Sequence, residues 1–225
     1  MKKTFTYVKD VPVLTQLCTE EINGKRHYIT PEGNKYPSVT TVFSFFKAEA
    51  MQEWRNRVGH SEANAISNRA ANRGTKFHSL MERYLANEAV IFDETVMPDM
   101  RMAFNDCQPT LDKIDNIRYI ESPLYSDELK IAGRTDCIAE FDGVLSVIDF
   151  KTSRKLKKSE WITDYFLQGC AYSMMHEERT GIPIKQTVII ISVDNEPEPQ
   201  VFIRQNENYR QPLLDKVKSY HEAHR

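Results

Sequence analysis

The sequence has 225 residues, 40% hydrophobic residues and a formal net charge of −2, values that fit one globular domain over residues 1–225. No apolar run reaches the length of a membrane span, and the N-terminal MKKTFTYVKD lacks the apolar stretch of a secretory signal. The four cysteines form no C-x-x-C pair, which argues against a zinc knuckle and a disulfide framework and favours a reducing, intracellular location.

The N-terminal part of the chain predicts a β-ribbon followed by a helix. Residues 4–9 alternate as a strand does, and Asn23-Gly24 is typical of a hairpin turn. Ser38 or Thr40 is placed to cap a helix through Val42. Because a helix N-terminus also exposes free amides, Ser38 is a candidate phosphate contact as well as a plain cap.

Residues 61–87 predict a long helix capped by Ser61. Gly74 interrupts the helical pattern, so either the helix breaks there or another group approaches its backbone closely. His78 lies on the inward side of this helix, three residues before Met81. It is either a core histidine with its hydrogen bonds satisfied or part of a functional site.

Next along the chain, residues 98–115 predict a scaffold helix and residues 117–124 a strand. With a two-residue turn at Asp127-Glu128, Glu121 lies opposite Arg134 and on the same face as Asp136. A three-residue turn would reverse that facing, since successive side chains of a strand point to opposite faces.

Residues 132–151 predict a β-hairpin whose two-residue turn is Asp142-Gly143, the strongest short-range hairpin signal. Counting pairs outward from this turn places Asp136 opposite Asp149, and Lys151 shares the face of Asp149. Like charges about 5 Å apart repel by about 3 kcal/mol at an effective dielectric of 20. A divalent cation such as Mg²⁺ between the carboxylates would offset this repulsion.

The alternative interpretation of this hairpin is a solvated face on which Asp136 pairs with Lys151 or Arg134. The adjoining basic run, residues 151–158, has five basic groups and no acid, and residues 55–76 form a second basic stretch. Either stretch taken alone is also consistent with an ordinary solvated surface. Their position beside the paired carboxylates favours contact with the phosphates of a nucleic acid.

The C-terminal third predicts two helices and two strands. Ser159 is placed to cap a helix reaching residue 178. Trp161 begins the apolar and aromatic stripe of this helix, and Gln168 interrupts the stripe. Residues 187–193 form a β-branched run typical of an interior strand. Residues 200–204 predict a shorter partner strand, and residues 212–224 a closing helix.

Four motifs between residues 73 and 172 resemble, in the right order, those of the PD-(D/E)XK nucleases of the RecB-like branch. They are Arg73-Gly74-Thr75-Lys76-Phe77-His78, Gly133-Arg134-Thr135-Asp136, Asp149-Phe150-Lys151 and Gln168-Gly169-Cys170-Ala171-Tyr172. Together with Pro37-Ser38-Val39-Thr40, they look most like the mitochondrial genome maintenance exonuclease-like and phage exonucleases of that branch. The chain lacks the cysteine set of the members that hold an iron–sulfur cluster, and it has no glycine-rich phosphate loop, so we expect no cluster and no fused helicase.

The resemblance implies an α/β, restriction-endonuclease-like fold. A mixed β-sheet core would be flanked by helices, with an N-terminal β-ribbon and a helical arch region formed by the aromatic residues of 43–54 and the basic helix from Arg55. It also implies catalysis by Asp136, Asp149 and Lys151 with one or two Mg²⁺ or Mn²⁺ ions. The implied metal ligands are His78, Glu121, Asp136, Asp149 and the Phe150 carbonyl, and the implied substrate contacts are Gln168, Tyr172, Arg154, Lys155, Lys157, Lys158, Arg73, Lys76 and Ser38.

The expected function is therefore that of a metal-dependent DNA exonuclease. Its expected substrate is single-stranded DNA or DNA ends, and its expected process is recombination, repair or DNA turnover in the cytoplasm of a bacterium or a phage-infected host. A structure-selective endonuclease, a catalytically inactive nucleic-acid-binding module of the same fold and an enzyme acting on a small phosphate are the alternatives. No membrane partner is expected.

Overall fold

The computed structural model describes residues 3–90, 92 and 96–224. The strands are β1 (Cys18–Ile22), β2 (Lys25–Ile29), β3 (Lys35–Pro37), β4 (Ile114–Ser126), β5 (Ile131–Phe141), β6 (Val144–Ser153), β7 (Gln186–Val193) and β8 (Gln200–Gln205). The helices are α1 (Val39–Phe45), α2 (Ala48–Val58), α3 (His60–Leu85), α4 (Pro98–Leu111), α5 (Thr163–Thr180) and α6 (Glu207–Glu222). None of the helices within the described ranges is both long enough and apolar enough to cross a lipid bilayer.

Strands β4 to β8 form a mixed sheet in the order β4-β5-β6-β7-β8. Strands β6 and β7 run parallel, and the other neighbours are antiparallel. A parallel pair needs a long crossover connection, which helix α5 supplies here. All eight residues of β7 are buried, which confirms the interior strand predicted for residues 187–193.

Helices cover both faces of this sheet. Helices α3 and α4 pack on one face against side chains that include Ile148 and Phe150. Helices α1, α5 and α6 pack on the other face against side chains that include Ile138 and Val147. The predicted fold class, a mixed sheet flanked by helices, is confirmed.

The N-terminal ribbon is confirmed as the antiparallel sheet β1-β2-β3. Its turn is Asn23-Gly24, and the hairpin turn of β5 and β6 is Asp142-Gly143. All four turn residues have a φ between 48° and 78°, as type I′ hairpin turns require. The strand predicted at residues 4–9 is wrong, since only Tyr7 forms a β-bridge there, to Ile117.

The turn between β4 and β5 differs from the prediction. It comprises the four residues 127–130, so that Ser126 pairs with Ile131 and Arg134 pairs with Pro123 rather than with Glu121. The hydroxyl of Ser126 accepts a hydrogen bond from the Leu129 N–H and fixes this longer turn. A shift of two residues leaves the facing of every side chain unchanged, so Glu121 stays on the predicted face.

Helix α3 runs through Gly74 without a break. No described atom lies within 4 Å of the position that a Cβ would take at Gly74, so both structural explanations predicted for this glycine are wrong for the described chain. The predicted Ser61 cap is also wrong. The helix begins at His60, after Gly59 turns the chain with a φ of 95°.

Three other helix boundaries differ from the predictions. Helix α4 ends at Leu111, because the chain enters strand β4 at Ile114. Ser159 does not cap a helix but opens a short 3₁₀ turn, Ser159–Trp161, and α5 begins at Thr163. Helix α6 begins at Glu207, five residues before the predicted start at Pro212.

Helix α2 and the first half of α3 stand largely in solvent. No residue of α2 is buried, and before Phe77 only Ala63 is buried in α3. We call residues 48–76 the helical projection. It occupies the part of the chain for which the resemblance implies a helical arch.

Candidate active site

His78 of α3, Glu121 of β4 and Asp136 of β5 converge where the ladder between β5 and β6 ends. Their ligand atoms all lie within 4.8 Å of one another. His78 Nδ1 is 3.4 Å from Asp136 Oδ2 and 4.0 Å from Glu121 Oε1. One imidazole and two carboxylates, all half-buried, form a donor set suited to a divalent cation such as Mn²⁺ or Mg²⁺.

The position of Asp136 follows from the point at which strands β5 and β6 separate. Their ladder follows the predicted register up to the pair Cys137–Ile148 and then ends. The Asp136 carboxylate accepts a hydrogen bond of 2.8 Å from the Phe150 N–H, and Asp149 pairs with Ile189 of β7. Asp136 and Asp149 therefore do not form the predicted ladder pair, because the side chain of Asp136 bonds to the amide of Phe150.

Both carboxylates nevertheless belong to the same side of the sheet. Ile138, two residues after Asp136, and Val147, two residues before Asp149, pack in one apolar cluster with helix α5. Side chains two residues apart in a strand share a face. The facing predicted from the Asp142-Gly143 turn therefore agrees with the structure.

Glu121 occupies an irregular position in β4. Its φ of 45° is left-handed, and the Arg134 side chain donates a hydrogen bond of 3.0 Å to its carbonyl. A residue other than glycine in this conformation costs about 1–2 kcal/mol. The strain coincides with the approach of its carboxylate to His78, as is common at functional sites.

Asp149 and Lys151 lie beside this cluster on β6. Asp149 is 1% exposed, and its Oδ2 forms an ion pair with Lys151 Nζ. In the described part of the chain, Asp149 Oδ1 is buried without a hydrogen-bond partner. An unsatisfied buried carboxylate oxygen is costly, and a metal ion or a metal-bound water would satisfy it. The residues present therefore fit a divalent ion next to Asp149.

The carboxyl groups of Asp149 and Glu121 bind protons more tightly than usual. Burial raises the pKa of Asp149 to about 6, against the opposing effect of Lys151. Burial and the nearby charge of Asp136 raise the pKa of Glu121 to about 7. A cation at the site would lower both values, since an adjacent positive charge favours the carboxylate form.

Asp136 and His78 influence each other in the opposite sense. Burial acts to raise the pKa of Asp136, but the hydrogen bond and charge of His78 outweigh it and hold this pKa below its usual value. Burial acts to lower the pKa of His78, and Asp136 overcomes it and raises this pKa. Lys151 is half-buried, and its desolvation acts to lower its pKa, but Asp149 and Asp136 outweigh this effect and keep the pKa above the usual value.

Helix α5 places Gln168 and Tyr172 beside the cluster. Gln168 Nε2 is 3.4 Å from the Tyr172 hydroxyl. Tyr172 is 3% exposed. If residue 133 had a Cβ, that atom would lie only 2.7 Å from the Tyr172 ring. This packing explains the glycine in the Gly133–Asp136 motif. The Tyr172 hydroxyl also supports the side chain of Gln168, and the predicted contact of Tyr172 with the substrate stays a prediction.

A second glycine contact was not predicted. A Cβ at Gly169 would lie 2.2 Å from the side chain of Thr187 in strand β7. Helix α5 therefore approaches the sheet at a distance that only glycine allows. The position of Gly169 directly after Gln168 was the available sequence signal, but its partner Thr187 could not be identified without the fold.

The predicted phosphate contacts differ in their exposure. Arg154, Lys155 and Lys158 are exposed on the loop after β6, and Lys157 is half-buried. Lys76 is exposed on the helical projection. We call residues 154–158 the basic loop.

Two other predicted substrate contacts have structural partners. Arg73 forms ion pairs with Asp99 and, at 2.6 Å, with Asp194, so its guanidinium ties α3 to α4 and to the end of β7. Ser38 is 3% exposed, and its hydroxyl caps α1 by accepting a hydrogen bond from the Thr41 N–H. The capping role predicted for Ser38 is confirmed.

The chain has no match among models of known protein families. It is 27% identical over 199 residues to the mitochondrial genome maintenance exonuclease 1 of Mus musculus. The aligned residues cover 78% of this chain and 57% of the relative. The protein of the same name from Homo sapiens is 27% identical over 172 residues, covering 71% of this chain and 49% of the relative. The chain thus spans about half the length of the curated relatives it matches. These similarities support a relationship to an exonuclease family.

Proposed function

We propose that this chain is a PD-(D/E)XK nuclease of the RecB-like branch that hydrolyses DNA from its ends with the help of Mg²⁺ or Mn²⁺. The observation that carries the proposal is the convergence of His78, Glu121 and Asp136 within 4.8 Å, with the ion pair of Asp149 and Lys151 beside them. The similarity to proteins named as exonucleases supports the same reaction class.

The proposed metal ligands are His78, Glu121, Asp136 and Asp149, together with the Phe150 carbonyl. When bound, a divalent ion there supplies an acidified water and stabilises negative charge on the scissile phosphate. The unpartnered Oδ1 of Asp149 and the raised pKa of Glu121, about 7, are both features that a cation would relieve.

Lys151 is the residue best placed to act on the attacking water or on a phosphate oxygen. Its ammonium group is held by Asp149 and lies 5.2 Å from the centre of the Tyr165 ring, so its position is fixed on both sides. Its raised pKa keeps it charged at neutral pH, which suits orientation of the water and stabilisation of a phosphate better than proton abstraction.

The strand would enter between the basic loop and the helical projection. Arg154, Lys155, Lys157 and Lys158 would contact phosphates from one side, and Lys76 from the other, while Gln168 lies close to the metal ligands. We infer that residues 1–225 act as one nuclease domain on single-stranded DNA or DNA ends, in recombination, repair or DNA turnover. The four cysteines are free, which fits an intracellular, reducing compartment.

The test is a time course on end-labelled single- and double-stranded oligonucleotides with Mg²⁺ or Mn²⁺. We expect metal-dependent release of label, and Lys151→Ala should lower the rate at least about 100-fold, since a preorganised charged group contributes that much to catalysis. The matched control is Lys130→Ala. It removes the lysine of the second acid-x-lysine sequence, Glu128-Leu129-Lys130, which lies at an exposed turn, and it should leave the rate within about twofold.

Equal metal-dependent cleavage by the wild type and a folded Lys151→Ala variant would contradict the proposal.

Closed circular single-stranded DNA distinguishes an exonuclease from an endonuclease. An exonuclease leaves the circle uncut, whereas cleavage of the circle would show a structure-selective endonuclease. Binding of DNA without any cleavage would indicate a nucleic-acid-binding module.

A further inference from the structure

The 3₁₀ turn Ser159–Trp161 holds a large aromatic ring in solvent. Trp161 is 64% exposed, although a tryptophan ring normally contributes a large apolar area to a core. The sequence pattern placed this ring on the apolar side of a helix. The structure instead places it outside the helix, directly after the basic loop.

The exposure of Trp161 is imposed by a firmly held backbone. Ile162, the next residue, is 2% exposed and packs with Phe166 and Ile189 beneath the turn. The Arg204 guanidinium donates a hydrogen bond of 2.7 Å to the Ser159 hydroxyl. Because the backbone is held from below, the ring cannot turn inward without breaking these contacts.

The preceding basic loop is held as well. The side-chain amide of Gln200 bonds both backbone groups of Lys157, accepting from its N–H at 2.7 Å and donating to its carbonyl at 3.0 Å. Lys158 Nζ lies 5.2 Å from the centre of the Trp161 ring. An exposed aromatic ring therefore stands beside cationic side chains on a loop whose backbone is held at Lys157.

This surface is continuous with the candidate active site. Tyr165 lies in the first turn of α5, and its N–H donates to the Ile162 carbonyl at 2.8 Å. The Tyr165 ring in turn lies 5.2 Å from Lys151 Nζ. Tyr165 thus connects Lys151 to the turn that carries Trp161 and follows the basic loop.

We propose that Trp161 is a stacking platform for an unpaired base of the bound strand, with Lys158 contacting the adjacent phosphate. An unpaired base offers a flat face and a phosphate, the two groups that an exposed aromatic ring and neighbouring cations recognise. Bases in a duplex are stacked on their neighbours and have no free face. The inference rests on the proposed nuclease function and assigns its single-strand preference to this surface.

The test uses the intrinsic fluorescence of the only two tryptophans in the sequence, Trp54 and Trp161. In a Trp54→Phe, Lys151→Ala protein, Trp161 is the sole tryptophan and cleavage is suppressed. We expect a single-stranded oligothymidylate to quench its fluorescence. An oligonucleotide of equal length in which every position is abasic should bind through its phosphates without quenching.

A binding measurement by anisotropy in the Lys151→Ala background complements the fluorescence. Trp161→Ala should weaken binding of the oligothymidylate about tenfold, as loss of one stacked base does, and Trp161→Phe should recover most of the affinity. Binding of the abasic oligonucleotide should be unchanged in both variants. Since the ring is exposed, all variants should melt within a few degrees of the parent protein.

Unchanged Trp161 fluorescence on binding of the oligothymidylate, or equal quenching by the abasic oligonucleotide, would overturn the stacking role. If the wild type still cleaves DNA in that case, the proposed nuclease function stands and only this inference fails. If the wild type neither binds nor cleaves DNA, the nuclease function fails together with the inference.

Discussion

Helices α3 and α5 flank the candidate active site, and they are held to the sheet in different ways. Ten of the 18 residues of α5 are buried, and Gly169 brings its backbone against Thr187. Only six of the 26 residues of α3 are buried, and Arg73 ties this helix to its neighbours through ion pairs.

The difference suggests a division of labour between the two helices. The α5 side, with Gln168 and Tyr172, is fixed by close packing, which is sensitive to a single added methyl group. The core holds α3 only from Phe77 onward, and the part of the helix that precedes His78 is held by the ion pairs of Arg73, which are partly open to solvent and contribute less. Changes on the α5 side should therefore affect folding, and changes on the α3 side should affect the geometry of the metal ligands first.

The largest expected effect is that of Gly169→Ala. The added methyl group would meet the Thr187 side chain at 2.2 Å, and Thr187 is itself fixed by a hydrogen bond to Asn206. We expect a loss of about 3 kcal/mol or more in the free energy of unfolding, measured by urea denaturation. Gly74→Ala is the matched control, because the space around Gly74 is open and a helical alanine should add about 1 kcal/mol. Similar effects of the two substitutions would remove the contrast between the helices.

A smaller effect is expected at Glu121 and depends on pH. Burial and the nearby Asp136 raise its pKa from 4.5 to about 7, so the folded state binds this proton more tightly than the unfolded state. Without divalent ions, the contribution of Glu121 to stability therefore falls as the pH rises from about 4.5 through about 7. Glu121→Gln should remove this fall and be about 2 kcal/mol more stable than the wild type at pH 8.

Thermal unfolding at pH 5 and pH 8 measures this effect, and Glu128→Gln at the exposed β4–β5 turn is the control. Addition of Mn²⁺ at pH 8 should stabilise the wild type more than Glu121→Gln, since a charged carboxylate binds the ion more tightly than a neutral amide oxygen does. If the difference in stability between the wild type and Glu121→Gln were the same at pH 5 and pH 8, the raised pKa of Glu121 would be contradicted.

The smallest effect on stability is expected for Arg73→Gln. Its ion pairs with Asp99 and Asp194 are partly exposed, so their loss should cost only about 1 kcal/mol. His78 lies five residues later in the same helix, so Mn²⁺ affinity measured by calorimetry should fall about tenfold, as for residues that orient metal ligands. Arg69→Gln, an exposed arginine one turn earlier in α3, should change neither quantity. A loss of stability at Arg73 as large as that at Gly169 would show that α3 is fixed as firmly as α5.

Parts of the site governed by short-range rules could be predicted from the sequence. The Asp142-Gly143 turn fixes the register of β5 and β6, and this register locates Asp136 and Asp149 on one face. The β4–β5 turn carries no comparable signal, because Lys130 rather than glycine adopts its positive φ. The predicted pairing of Glu121 was therefore wrong by two residues, although its facing was right.

Long-range contacts could not be predicted from the sequence in the same way. The phosphate contact predicted for Arg73 stays a prediction, but its ion pairs with Asp99 and Asp194, far along the chain, had no signal in the sequence. Helical periodicity placed Trp161 among buried aromatic residues, whereas the chain forms a 3₁₀ turn there and the helix begins two residues later. In both cases tertiary contacts decided between local alternatives of similar energy.

The parallel pairing of β6 with β7 also bears on the order of folding. Asp149 lies opposite Ile189, which enters the sheet only after the whole α5 crossover has formed. The hairpin of β5 and β6 can close locally within microseconds, but its outer edge gains cover only through this long-range contact. During synthesis, the nascent chain therefore carries its acidic residues on an open sheet edge until residues 186–193 have emerged. The candidate active site is therefore completed late, when most of the fold is in place.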